Sequence, residues 1–199
     1  MTILAVNNFS LINGKPFNLE VMAGEIICLS GKSGAGKSLI LRALADLIEH
    51  HGEAYLDNNA CSKMSPVEWR KNIALLPAES QWWFETIGEH FIKEDQKMLA
   101  QLKLSHDCFK WDIARCSTGE KQRLALARLL QNNPKVLLLD EPTASLDAEN
   151  TLCVENVIKD YVKLNGAIVL WVSHDKQQVE RIADREYYVS DFTLKELAE

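Results

Sequence analysis

Gly31-Lys32-Ser33-Gly34-Ala35-Gly36-Lys37-Ser38 follows the spacing GxxxxGK[ST]. Glycines at these intervals let backbone N–H groups turn inward and cradle phosphate oxygens at the start of a helix, where the helix dipole also favours an anion. Lys37 can reach the β and γ phosphates of a nucleoside triphosphate. The Ser38 hydroxyl can serve Mg²⁺, a hard ion that takes oxygen ligands and draws the rest from nucleotide and water. Far along the chain, Asp140-Glu141 closes the apolar run 136–139. At the carboxyl edge of a parallel sheet, Asp140 can hold Mg²⁺ through water. Glu141 can polarise an attacking water as general base, a role worth ~10²–10⁴-fold in rate. Chance gives the glycine-loop pattern in on the order of one chain in a hundred at this length, and although an acidic pair alone is more often a solvated strand end, its pairing with that loop points to hydrolysis of a nucleoside triphosphate.

Such chemistry needs strands that bring both motifs to one edge. Residues 25–30 are continuous and apolar, as a strand covered on both faces would be; the glycine loop follows, then helical apolar spacing over 38–49. Residues 136–139 read as a second buried strand and 167–172 as a third, separated by a helix over 150–164 and a turn at Gly166. Ser117 opens a helix that must stop before Asn132-Asn133-Pro134, since proline cannot continue it. Ahead of this alternation, 3–6 and 17–21 read as short strands around an Asn13-Gly14 turn, with 52–56 as a further strand, giving an antiparallel opening layer. Phe91, Met98, Leu99 and Leu102 recur at helical intervals in 84–104, which predicts a small helical subdomain. The fold class is α/β, a parallel sheet with helices and an added antiparallel layer.

Composition narrows the partners. A chain of 199 residues with 47% hydrophobic and 25% charged residues suits one globular domain. A net charge of −6 lacks the basic excess of proteins that neutralise many nucleic-acid phosphates, so no direct nucleic-acid partner is expected. Cys28, Cys61, Cys108, Cys116 and Cys153 show no CxxC or metal-ligand spacing and read as reduced packing residues of a cytoplasmic protein. No apolar run approaches a membrane span and the first residues do not resemble a signal peptide, so membrane contact is expected through a partner.

With these motifs in hand, the whole chain resembles the ATP-binding cassette family, whose further elements occur in the family's order. Cys116-Ser117-Thr118-Gly119-Glu120 stands where the family has its signature, usually Leu-Ser-Gly-Gly-Gln; Ser117 and Glu120 also fit a capping box at a helix start. Ala144-Ser145-Leu146-Asp147 looks like the D-loop, and His174, in Val172-Ser173-His174-Asp175, looks like the switch histidine. The resemblance implies a single ATPase domain over 1–199 of the P-loop NTPase type, with an antiparallel β-subdomain and an insertion near 80–118 carrying the Q-loop and helical subdomain. It implies ATP and Mg²⁺ as ligands, and a homodimer in which Ser117 and Gly119 of one chain contact the γ phosphate held by the other. Asp147 would link the two sites across the interface, and His174 would donate to the γ phosphate. It also implies a transmembrane permease partner, and so a place at the inner (plasma) membrane. Within the family, residues 134–175 look most like the small cassettes of bacterial two-component exporters, some linked to metal efflux.

Three positions depart from the family pattern. Ala78 falls where the Q-loop glutamine is usual; either Glu79 or Gln81 stands in for it, or the site assembles less completely between turnovers. Thr118 replaces the first signature glycine. The aromatic that stacks on the base is open between Phe9 and Phe17. Two other functions remain: a cassette acting on DNA or the ribosome, which normally carries tandem cassettes or basic extensions absent here, or an ATP-binding switch without hydrolysis, against which Glu141 and His174 speak. Trp82, Trp83 and Phe84 fall where the family docks a transporter's coupling helix, or else pack inside the small subdomain.

Overall fold

The computed structural model describes residues 2–12 and 14–197. In chain order the elements are β1 (Ile3–Ser10), β2 (Phe17–Met22), β3 (Ile26–Ser30), α1 (Lys37–Leu44), β4 (His51–Leu56), β5 (Asn59–Ala60), α2 (Pro66–Asn72), β6 (Ile73–Leu76), α3 (Gln96–Gln101), α4 (Thr118–Leu130), β7 (Val136–Asp140), α5 (Ala148–Asn165), β8 (Ile168–Val172), α6 (Lys176–Ile182), β9 (Arg185–Ser190) and β10 (Thr193–Glu196). β2-β1-β4-β5 form an antiparallel sheet, and β10-β9-β3-β8-β7-β6 form a second sheet whose strands are parallel from β9 to β6.

The three central strands are apolar on both faces because both faces are covered. Leu137, Leu139, Val169 and Trp171 point into a core shared with α4 and α5. Their alternating neighbours Val136, Leu138, Ile168, Leu170 and Val172 point into a core shared with α1 and the antiparallel sheet. Full burial of each such side chain stabilises by ~1.5–3 kcal/mol, which fixes the register, since a slip of one residue would exchange the two faces. In that register Leu29 lies opposite Val172 and Val172 opposite Asp140, so β3, β8 and β7 end level with one another.

Several expectations are corrected. The helix expected over 38–49 ends at Leu44. Asp46 turns left-handed at φ 55, with Asp46 N bonding Ala43 O and Leu47 N bonding Arg42 O, a Schellman-type stop. Over 84–104 the helical subdomain is shorter than expected, reduced to the six residues of α3 and a 3-10 turn at Gly88–His90; Met98 and Leu99 meet the core from α3 and Leu102 from its C-cap, while Phe91 does so from outside any α-helix. α2 and β6 were not anticipated, although Ser65-Pro66 carries an N-cap followed by proline in the first turn, and the Ser65 hydroxyl does accept the Glu68 N–H at 3.2 Å. Of the Asn13-Gly14 turn, Asn13 lies outside the described residues. All five cysteines are buried and unpaired, and burial pushes the Cys28 thiol up to about 12, as suits packing residues.

Candidate active site

The glycine loop leaves β3 and enters α1 through three left-handed turns, at Gly31 (φ 142), Gly34 (φ 78) and Gly36 (φ 104). A side chain at Gly31 would lie 2.4 Å from Val189 O, so the tight path requires glycine there. Lys32, Ser33 and Gly34 are exposed at the loop's crest, and Ala35 N closes a turn onto Lys32 O. The first intrahelical bond into this terminus is Ile40 N to Gly36 O, which leaves the N–H groups of Lys37, Ser38 and Leu39 for an anion. Lys37 is buried, and its Nζ donates to Gly31 O at 2.9 Å and Lys32 O at 3.1 Å, carbonyls of the same loop. Burial pulls the Lys37 ammonium below its usual value, while Glu141 and Asp140 oppose that shift.

Across the sheet edge, Ser38 Oγ donates to Asp140 Oδ1 at 3.0 Å. Burial pushes the Asp140 carboxyl above the ordinary range, Glu141 adds to the rise, and the Ser38 hydroxyl opposes it. Two hard oxygens thus converge beside the phosphate loop. Among the described residues no cluster of three His, Cys, Asp or Glu side chains could hold a metal unaided. The Ser38 hydroxyl and the Asp140 carboxylate are donors of the kind a hard cation such as Mg²⁺ takes.

Glu141 follows with left-handed backbone at φ 48, its N–H bonded to Val172 O at 3.2 Å. Left-handed backbone is uncommon for a non-glycine residue. His174, two residues beyond β8, sets Nε2 3.1 Å from Glu141 Oε1, and both side chains remain part-exposed at the open edge. The geometry therefore joins Lys37, Ser38, Asp140, Glu141 and His174, residues drawn from three strand ends, around one space.

A buried network behind them was not legible in the sequence. Gln178 Nε2 donates to Thr143 Oγ1 at 3.0 Å and Glu155 Oε1 at 2.9 Å, while Gln178 Oε1 accepts from Ser173 Oγ at 2.8 Å. Arg181 Nη2 neutralises Glu155 at 2.8 Å. Thr143 and Ser173 belong to the loops carrying Glu141 and His174, so this network fixes the two loops relative to each other. No local pattern marks partners 35 positions apart.

Ser117, Gly119 and Asp147 form a second group. Ser117 Oγ accepts the Glu120 N–H at 3.2 Å while Glu120 Oε2 accepts the Ser117 N–H at 2.8 Å, the capping box expected from the sequence. A side chain on Gly119 would meet Leu146 Cδ2 at 3.0 Å, so α4 starts hard against the 144–147 loop. Asp147 caps α5 through the Asn150 N–H at 2.8 Å, and Asn150 Oδ1 accepts from buried Arg123 of α4 at 2.7 Å. Among the described residues, neither Ser117 nor Gly119 hydrogen-bonds to residues 31–38 of its own chain. Thr118 is exposed, leaving the close approach to Gly119.

Ala78 is exposed after β6, and neither Glu79 nor Gln81 makes a side-chain hydrogen bond to Ser38, Asp140 or Glu141. Instead Gln122, buried in α4, donates to Pro77 O at 3.3 Å. Both aromatic candidates for base stacking are corrected: Phe9 and Phe17 lie buried in the core, Phe9 stacked on His50 at 4.5 Å, with no face free for a nucleotide. Farther along, Trp83 and Phe84 are 64% and 48% exposed, Trp82 is half-buried, and the Arg128 guanidinium sits 4.3 Å from the Trp82 ring centroid and 4.7 Å from that of Trp83. His90 Nε2 accepts from both Trp83 N and Phe84 N at 3.0 Å, which puts its proton on Nδ1, 2.9 Å from Thr86 O.

A parallel sheet with a phosphate loop after one strand and Asp-Glu after another defines a nucleotide-hydrolysing protein of the P-loop class. The family model described as "ABC transporter" matches residues 15–144, and the chain belongs to that family, as one of its ATP-binding subunits. It is 33% identical over 175 residues to the probable iron export ATP-binding protein FetA of Escherichia coli (strain K12), covering 81% of this chain and 78% of that relative. To the aliphatic sulfonates import ATP-binding protein SsuB 2 of Agrobacterium fabrum it is 36% identical over 177 residues, covering 86% and 68%. Among solved structures, a dimeric ATP-binding cassette in a post-hydrolysis state with ADP and Pi superposes with a TM-score of 0.83 at 24% identity, covering 98% of this chain and 99% of that one. A bacterial Atm1-family ABC exporter with ATP bound gives 0.83 at 21%, covering 96% and 37%. Among the described residues no helix is long and apolar enough to cross a membrane.

Proposed function

We propose that the chain binds ATP with Mg²⁺ at the loop Gly31–Ser38 and hydrolyses it within a head-to-tail pair of chains, driving a membrane-spanning permease from its cytoplasmic face. The observation that carries this is the convergence of Lys37, Ser38, Asp140, Glu141 and His174 at three level strand ends.

Lys37 exchanges its two loop carbonyls for phosphate oxygens, which its partial desolvation favours once an anion replaces neutral acceptors. Ser38 and Asp140 are the residues that would hold Mg²⁺, which would offset charge developing on the phosphoryl oxygens. Glu141 orients the attacking water and accepts its proton. His174, whose Nε2 lies 3.1 Å away, holds the Glu141 carboxylate in place. The Thr143–Gln178–Glu155 network keeps both loops from drifting, and positional errors near 1 Å are costly in such sites.

Support for pairing comes from the signature: Ser117 and Gly119 display a capped helix start on the surface without touching their own chain's phosphate loop. An anion on a second chain would complete it, and the Arg123–Asn150–Asp147 chain of hydrogen bonds ties that helix to the 144–147 loop. Support for a permease comes from the groove of about 450 Å³ lined by Leu47, Trp83, His90, Ile92, Arg128 and Leu129. Exposed aromatics of this kind are typical interface anchors, and Arg128 Nη1 is buried there without a partner.

The test is Glu141→Gln. The variant should keep its ATP affinity, lose ~10²–10⁴-fold in turnover and accumulate as an ATP-bound dimer in sedimentation. Undiminished turnover would remove Glu141 from the mechanism.

A further inference from the structure

Phe192 holds a backbone conformation that its side chain opposes. Thr193 pairs with Ser190, so Asp191 and Phe192 form a two-residue turn between β9 and β10, with φ 47 and 60. Hairpin turns with two left-handed residues are dominated by Asn-Gly and Asp-Gly, and a bulky aromatic in the second position is an outlier. What the turn achieves is the placement of a ring. Phe192 N donates to Ala35 O at 3.2 Å, and a Cβ added to Gly36 would lie 2.4 Å from Phe192 Cδ1, so the ring rests against the last glycine of the phosphate loop.

On the same side of the loop is a cleft of about 220 Å³ lined by Leu11, Ile12, Leu39, Ile48, Glu49 and Phe192. Its walls are apolar apart from Glu49. Leu39 follows Ser38 directly in the first turn of α1, so the cleft begins where the phosphate cradle ends, and Ile12 and Leu39 are exposed to it. A nucleotide whose phosphates lie on residues 31–38 has its sugar and base tethered within a few bonds of that point. Phe9 and Phe17, the aromatics of the opening strands, have no free face.

We propose that Phe192 is the aromatic wall on which the nucleotide's base rests, with Ile12, Leu39 and Ile48 completing an apolar cleft for a purine ring. This rests on the ATP site proposed above and adds its base subsite. The ring comes from the far end of the chain, and the strained turn is what points it at the loop.

Binding of ATP and of inorganic tripolyphosphate, which has no base, is measured by calorimetry on the whole protein and on Phe192→Gly. Glycine suits the turn's backbone and removes the ring. ATP should bind about tenfold more weakly, the scale of a lost base–aromatic stack, with tripolyphosphate unchanged. Phe192→Leu, which keeps apolar bulk for the core, should show the same selective loss in smaller measure. It carries the comparison if the glycine variant does not fold. Unchanged ATP affinity overturns the proposal, as does equal weakening of both ligands, which would mean that the ring acts only through Gly36. Failure of the unaltered protein to bind tripolyphosphate is a different pattern, and it would overturn the phosphate-loop assignment together with the proposal built on it.

Discussion

The candidate site residues Lys37, Ser38, Asp140 and Glu141 are placed at the ends of the buried strands β3 and β7, whereas residues 77–117 carry one six-residue helix and three short 3-10 turns. At the sheet edge, position comes from register: Leu29, Val172 and Asp140 lie level because five parallel strands share two cores. In the surface segment, position comes from side chains bonding to backbone. Arg128 Nη2 donates to Gln81 O, His90 receives two backbone N–H groups, and Arg123 Nη1 reaches Leu102 O. The first construction resists displacement, as bond-making requires. The second leaves the rings of Trp83 and Phe84 on the surface.

This contrast can be broken at either end. The largest effect is expected from Asp140→Asn, which should reduce Mg²⁺-dependent turnover by two orders of magnitude or more, measured as phosphate release. Next, Trp83→Ala should leave basal turnover and folding unchanged while the chain, expressed in its own cells, shifts from the membrane fraction to the supernatant; retention with the membranes would exclude Trp83 as a docking anchor. The smallest effect is again at Asp140. Its carboxyl is raised by burial in the folded state, so its contribution to stability is fully present when it is protonated in both states and is lost as pH rises through the folded value. Asp140→Asn should therefore melt at a higher temperature than the parent at neutral pH without nucleotide, with the difference shrinking as pH falls toward the ordinary aspartate value of 3.8. A lower melting temperature at neutral pH would show that Asp140 is not held at a cost to the fold.

The same contrast explains what could be read from the sequence. Gly31–Ser38 was legible because its conformation is local: glycines permit the turns and the next residues start the helix. Asp140, Glu141 and His174 were legible because uninterrupted apolar runs mark strands covered on both faces, and the residue after each run sits at the edge. The helix after the loop was overextended because Leu47 and Ile48 continue its apolar spacing past the left-handed Asp46. Residues 84–104 were overextended for a related reason: Met98 and Leu99 do belong to α3, but Phe91 meets the core from outside any α-helix although its spacing fits one. Gln178, Glu155 and Phe192 gave no signal, since each matters only through a partner far along the chain. Phe9 and Phe17 were the reverse case, aromatics in a suggestive place that the core had already claimed.

The central claim is that the surface signature of one chain completes the strand-end site of another. It is tested most directly by measuring ATP hydrolysis per chain against protein concentration, without a membrane partner, alongside sedimentation. The account predicts low turnover where the protein is monomeric and a rise per chain as pairs form, since each site needs Ser117 and Gly119 of its neighbour. Constant turnover per chain across the monomeric range would contradict it.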